Sequence, residues 1–97
     1  MHIKRFINRH HFYILMRRTS SNGWSAALKD SNGEYIDSLH SNSNMLWQCV
    51  GFGRTRKVAL EELCQEVAGR ILVLDAMSDE HRRELRAPSE LFYDPVI

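Results

Sequence analysis

No apolar run in this 97-residue chain approaches the roughly 20 residues needed to cross a bilayer. The longest one near the start, Phe12 to Met16, is also shorter than the apolar core of a signal peptide. The expectation is a soluble, cytoplasmic protein with no membrane partner. Cysteine is scarce. Cys49 and Cys64 form no CxxC pair, and neither has a histidine at zinc-finger spacing, which argues against a metal site and reads both as buried thiols. Catalytic signatures are missing too: there is no GxSxG, no HExxH and no P-loop, and "GFGR" at Gly51 to Arg54 lacks the third glycine of a dinucleotide fingerprint. Nothing places a nucleophile, a base and an orienting group together, so the chain is read as non-enzymatic and free of cofactors. His2, His10 and His11 read as surface histidines, because neighbours on a strand point to opposite faces and do not share an ion.

What is present is ordinary in amount and uneven in arrangement. At 43% hydrophobic and 26% charged, the chain has the composition of a folded domain, and its length suits a single domain over 1–97. The net charge of +1 conceals a polarity. Residues 1–57 carry nine basic against three acidic side chains, and residues 58–97 carry four against nine. Folded into separate faces, these halves make an electrical dipole, which bears on partners and association rates rather than on fold.

The periodicity predicts an α+β fold: an antiparallel β-meander of three to four strands (10–52) packed on one long C-terminal helix (55–77), then a short helix (79–86) and an extended tail (88–97). "HFYILMRR" runs into the turn signal Asn22-Gly23, and "WSAALKD" follows with period-two alternation. A second Asn-Gly at 32–33 leads to "EYIDSLH"; after the polar loop "SNSN" at 41–44, "MLWQCVGF" makes the fourth strand. From Thr55 the spacing changes. Leu60, Cys64, Val67, Ile71 and Leu74 recur at intervals of four and three, as on one helical face. Gly69 leaves an alternative, in which the helix stops there and "ILVL" is a strand; the unbroken apolar phase favours a continuous helix to about Met77. Ser78 is the expected cap of the short helix, and Pro88 its end. Trp24, Leu28, Trp47, Leu60, Leu63, Val67 and Ile71 are the expected core.

The most suggestive stretch is "GFGRTRKVALEE", Gly51 to Glu62. Arg54, Arg56 and Lys57 crowd the end of a helix that already carries a partial positive charge, at a cost of about 0.3–1 kcal/mol. Two glycines, the Thr55 hydroxyl and free backbone amides add to an arrangement that favours an anion such as phosphate. Arg17 and Arg18, closing the first strand, are candidates for the same anion or partner site. The alternative is that these long side chains extend into water, where screening removes most of the conflict.

"GFGRTRKVA" resembles the junction of sheet and last helix in double-stranded-RNA-binding domains. That resemblance implies that Arg56 and Lys57 contact phosphates and that Ala59 fills a small packing position. The same segment with the strands before it also resembles the β-β-β-α domains of HicB-like antitoxins, which implies binding to a partner protein.

The first functional expectation is a non-enzymatic, protein-binding regulatory or inhibitor module of bacterial or phage type. Its partner would be a larger protein, such as a nucleic-acid-processing complex. The apolar tail residues Leu91, Phe92, Tyr93, Val96 and Ile97 would serve as anchors, since aromatic side chains dominate binding hot spots. The rival is a duplex nucleic-acid-binding domain that uses the basic helix start.

Overall fold

Residues 1–39 and 45–96 are described by a computed structural model. The expected loop at 41–44, the end of the expected third strand at residue 40, and residue 97 lie outside them.

The chain begins with a helix that the strand reading of His10 and His11 conceals. Helix α1 spans Ile3–His10, with Ile3 and Phe6 buried one turn apart. His2 caps it, its Nδ1 accepting the Lys4 N–H at 3.1 Å. At the other end His11 takes the left-handed conformation (φ 59°), and the Phe12 N–H reaches back to the Ile7 carbonyl at 2.8 Å, a glycine-type stop made without glycine. His2 is therefore buried rather than a surface histidine.

Strands β1 (Tyr13–Arg18) and β2 (Trp24–Lys29) form a hairpin across the first Asn-Gly, with Asn22 at φ 63°. The second Asn-Gly turn is tied by Asp30, a buried carboxylate that accepts the N–H groups of Asn32 (2.9 Å) and Glu34 (3.0 Å). The expected meander ends here. β3 (Asp37–Leu39) leaves β2 and pairs with β4 (Leu46–Gln48) on one edge and β6 (Ile71–Leu74) on the other. β4 continues through Cys49 into β5 (Val50–Gly53), which returns to pair with β2. Two antiparallel sheets result, ordered β1-β2-β5 and β4-β3-β6-β7, where β7 is Arg83–Arg86.

The sheets join at three buried residues. The Leu28 N–H donates to the Cys49 carbonyl (3.0 Å), the Cys49 N–H to the Ile36 carbonyl (3.1 Å), and the Ile36 N–H to the Leu28 carbonyl (3.0 Å). This closed ring uses one donor and one acceptor from each residue, so the point where the sheets part leaves those groups satisfied.

Helix α2 runs over Arg56–Val67, so the long helix expected over 55–77 is a 12-residue helix. Gly69 (φ 71°) turns the chain, its N–H donating to the Pro88 carbonyl at 2.7 Å, and Ile71–Leu74 is strand β6. The continuous apolar phase misleads because four apolar residues buried in a sheet look the same as one more helical turn. The short helix expected over 79–86 is likewise absent. Ser78 does cap, accepting the His81 N–H at 3.1 Å, but only a turn forms before Arg83–Arg86 pairs with the edge of β6.

α2 lies directly on β5 and β2. A Cβ on Gly51 would collide with the Leu63 amide nitrogen and the Ala59 carbonyl, and one on Gly53 would fall 2.7 Å from the Ala59 nitrogen. These glycines serve close packing of helix on strand, not exposure of amides. Leu28, Leu63 and Val67 are buried as expected, with Trp24 and Leu60 packed against them. Trp47 is half exposed on β4, and Ile71 is partly buried on the other side of its sheet, so neither belongs to the buried core. No described helix is long and apolar enough to cross a membrane.

Candidate functional site

The strand order decides which basic residues meet. In a simple meander the fourth strand would lie two strands from the second. Here Gly53 is instead paired opposite Trp24, and Trp24 opposite Arg18, with Arg17, Ser25 and Phe52 in the next row. The end of β1, the start of β2 and the start of α2 therefore converge. Arg17, Arg18, Arg54, Arg56 and Lys57 are all exposed at this end.

Trp24 organises the cluster. The Arg56 guanidinium lies 4.4 Å from its ring centroid and that of Arg18 lies 5.3 Å away, so one indole draws together cations from two elements. Stacking on the ring offsets part of the cost of placing Arg56 at the positive end of α2. Thr55 is the N-cap: its Oγ1 accepts the Val58 N–H at 3.1 Å, and its hydroxyl proton stays available to a ligand. Among the described residues the one ion pair is Arg82–Glu84 at 3.7 Å, so none of the five cations has an acidic partner at that range. A groove of about 490 Å³, lined by Thr19, Ser21, Trp24, Phe52 and Arg54 among others, adjoins the cluster.

At the opposite end of the sheet acids and bases mix. Asn32, Asp75, Glu80, His81 and Arg83 line a cleft of about 520 Å³, and Glu34 and Asp37 border its neighbour. Partial burial raises the Asp37 carboxyl above the usual carboxylate range.

The tail does not join the basic cluster. It folds back along α1: the Ile3 N–H donates to the Phe92 carbonyl (2.8 Å), the Phe92 N–H to the Met1 carbonyl (3.2 Å), and the His2 ring engages the Asp94 backbone through Nε2. Leu91 and Tyr93 pack against the core and Phe92 is 46% exposed; these three line a small groove with Glu61, Cys64 and Gln65 of α2. Val96 is exposed, and Ile97 lies outside the described residues.

The thiols are protected. Burial pushes Cys49 up to about 12 and Cys64 to about 11, so both are protonated and unreactive near neutral pH. His10, stacked 5.4 Å from the Phe12 ring, is held below its ordinary value by burial, with Arg9 and His11 adding to the effect. Among the described residues no three His, Cys, Asp or Glu side chains gather in a way that could hold a metal ion.

In the sequence Trp24 reads only as core, and nothing local distinguishes Phe52, Tyr13 or Lys29. The signal that could have found them is the alternation of β2, where Ser25 and Ala27 are small on the side opposite Trp24, Ala26 and Leu28. Compared with protein families, curated proteins and solved structures, the chain matches none.

Proposed function

We propose that this protein is a non-enzymatic binding module whose basic end holds the phosphate backbone of a nucleic acid. One observation carries the reading: Arg18 of β1 and Arg56 of α2 meet on the Trp24 ring, with Arg17, Arg54 and Lys57 exposed beside them in sequence, and none of the five has an acidic partner at ion-pair distance among the described residues. Such a cluster repels itself until an anion arrives, and a polyanion releases counterions as it docks. The tail, which motivated a protein partner, spends its backbone bonds and two of its large side chains on its own domain.

The test is fluorescence anisotropy with labelled duplex and single-stranded oligonucleotides over a range of salt. Affinity should fall linearly on a log–log plot. Replacing Arg54, Arg56 and Lys57 together by Gln should abolish binding, with any residual salt slope reduced by up to about 3. Binding that ignores both salt and the triple replacement refutes the reading.

A second reading, docking on a larger regulatory target protein, is favoured by Leu46 of β4 and Phe52 of β5, which are both exposed. Exposed apolar groups beside a polar rim are suited to anchoring a protein partner. Capture from lysate separates the two: a protein retained after nuclease treatment supports this reading, and loss of all captured material supports nucleic acid.

A further inference from the structure

The face of the β1-β2-β5 sheet turned away from α2 has a composition that the basic cluster does not explain. Register sets its outward side chains in three rows: Arg17, Ser25 and Phe52; then Leu15, Ala27 and Val50; then Tyr13 and Lys29, with Tyr35 bridged beside Lys29. The middle strand contributes only the small Ser25 and Ala27 to the first two rows. Side chains of β1 and β5 therefore stand higher on either side of a shallow trough along β2, whose floor is buried at Ala27.

Aromatic rings border this trough. Phe52 is 60% exposed, Tyr13 41% and Tyr35 40%. The charged side chains in the three rows are Arg17 and Lys29, both cations, with no carboxylate among them. Lys29 sits with its Nζ 4.4 Å from the Tyr35 ring centroid, which marks one end of the trough. At the other end Phe52 belongs to the groove that it shares with Arg54 and Trp24, so the trough opens into the basic cluster. The Tyr13 and Arg17 rows lie about 13 Å apart at the usual rise per residue, a length that accommodates about two to three stacked bases.

Aromatic faces between cations, with the carboxylates of Glu34, Asp37 and Asp75 set beyond the Tyr35 end, complement a ligand that carries flat apolar groups on an anionic backbone. A duplex keeps its base faces stacked inside and leaves the rings of Phe52 and Tyr13 without a partner. An apolar peptide leaves Arg17 and Lys29 without neutralising charge. We infer that the outer face of the β1-β2-β5 sheet binds single-stranded nucleic acid, with bases stacking on Phe52 and Tyr13 and phosphates running past Arg17 and Lys29 into the basic cluster. The inference rests on the phosphate-binding reading above and specifies its substrate as unpaired strand.

Anisotropy with homopolymers of thymidine or uridine of about ten nucleotides, alongside a mixed-sequence duplex, tests it. Phe52→Ala and Tyr13→Ala should each weaken single-strand binding by about five-fold or more, leave the duplex affinity and the unfolding midpoint unchanged, and be rescued at Phe52 by Phe52→Trp. If both alanine variants bind the homopolymers as the parent does, while the triple Gln replacement of Arg54, Arg56 and Lys57 abolishes binding, the stacking face is refuted and the phosphate reading stands. A parent protein that binds neither homopolymer nor duplex removes both.

Discussion

The two faces of the β1-β2-β5 sheet use the same three strands in opposite ways. Beneath α2 the positions are reduced almost to backbone: Gly51, Gly53 and Ala26, with Ala59 facing them from the helix, let α2 settle directly on the strands, and a single added methyl at Gly51 meets main chain it cannot displace cheaply. The outer face carries Phe52, Tyr13 and Arg17, large and exposed, around Ser25 and Ala27. The inner face is specified by steric necessity, and its substitutions should register in stability. Little on the outer face is required for folding, so its residues are free to serve a ligand.

Four experiments sharpen or break this contrast. Leu63 is fully buried on the inner face, and Leu63→Ala should cost about 2–5 kcal/mol in urea unfolding; a cost below 1 kcal/mol would mean that α2 packs loosely. Gly51→Ala should destabilise by about 1–3 kcal/mol because α2 must lift from β5. Its neighbour on the outer side should behave differently.

The third experiment is a pH series. Cys49 and Cys64 stay protonated in the fold up to about 12 and about 11, whereas a thiol in the unfolded chain ionises near 8.5. Their folded values are raised, so the stability they contribute is complete below about pH 8.5 and declines as pH rises toward the folded values. The urea midpoint should therefore fall steadily above about pH 8.5, and less so in a Cys49→Ala variant; a flat profile would show the thiols to be accessible to water. The smallest effect belongs to the outer face, where Phe52→Ala should change stability by no more than about 0.5 kcal/mol. A larger loss would mean that Phe52 is structural and that the two faces do not differ as described.

The sequence announced what local chemistry controls. Both Asn-Gly turns, the strands around them and the change to helical spacing at Thr55 are set within a few residues, and the structure has each of them. It misled where distant partners decide. The end of α2 depends on β3 and β7 receiving Ile71–Leu74, and the turn after Ser78 yields to an available strand edge. α1 was missed although Ile3, Phe6 and Ile7 have helical spacing, because its short pattern stands beside two histidines that read as the start of a strand. The basic residues of the candidate site could be recognised one by one. Their meeting could not, because it requires the excursion of β3 and β4 that brings β5 back beside β2. The role of Trp24 follows from that same detour.

The ring of backbone bonds linking Leu28, Ile36 and Cys49 also has a kinetic meaning. Two of its bonds lie between consecutive strands, β2 with β3 and β3 with β4, whereas the third, from Leu28 to Cys49, joins segments that are brought together only by the β2–β5 pairing. No single hairpin can assemble it, and the residues join two sheets at once. Its formation belongs late in folding, when the slow closure of non-local pairings has been accomplished. In the native protein its amides should exchange with deuterated solvent at one common, slowest rate, since opening any of the three requires both sheets to come apart.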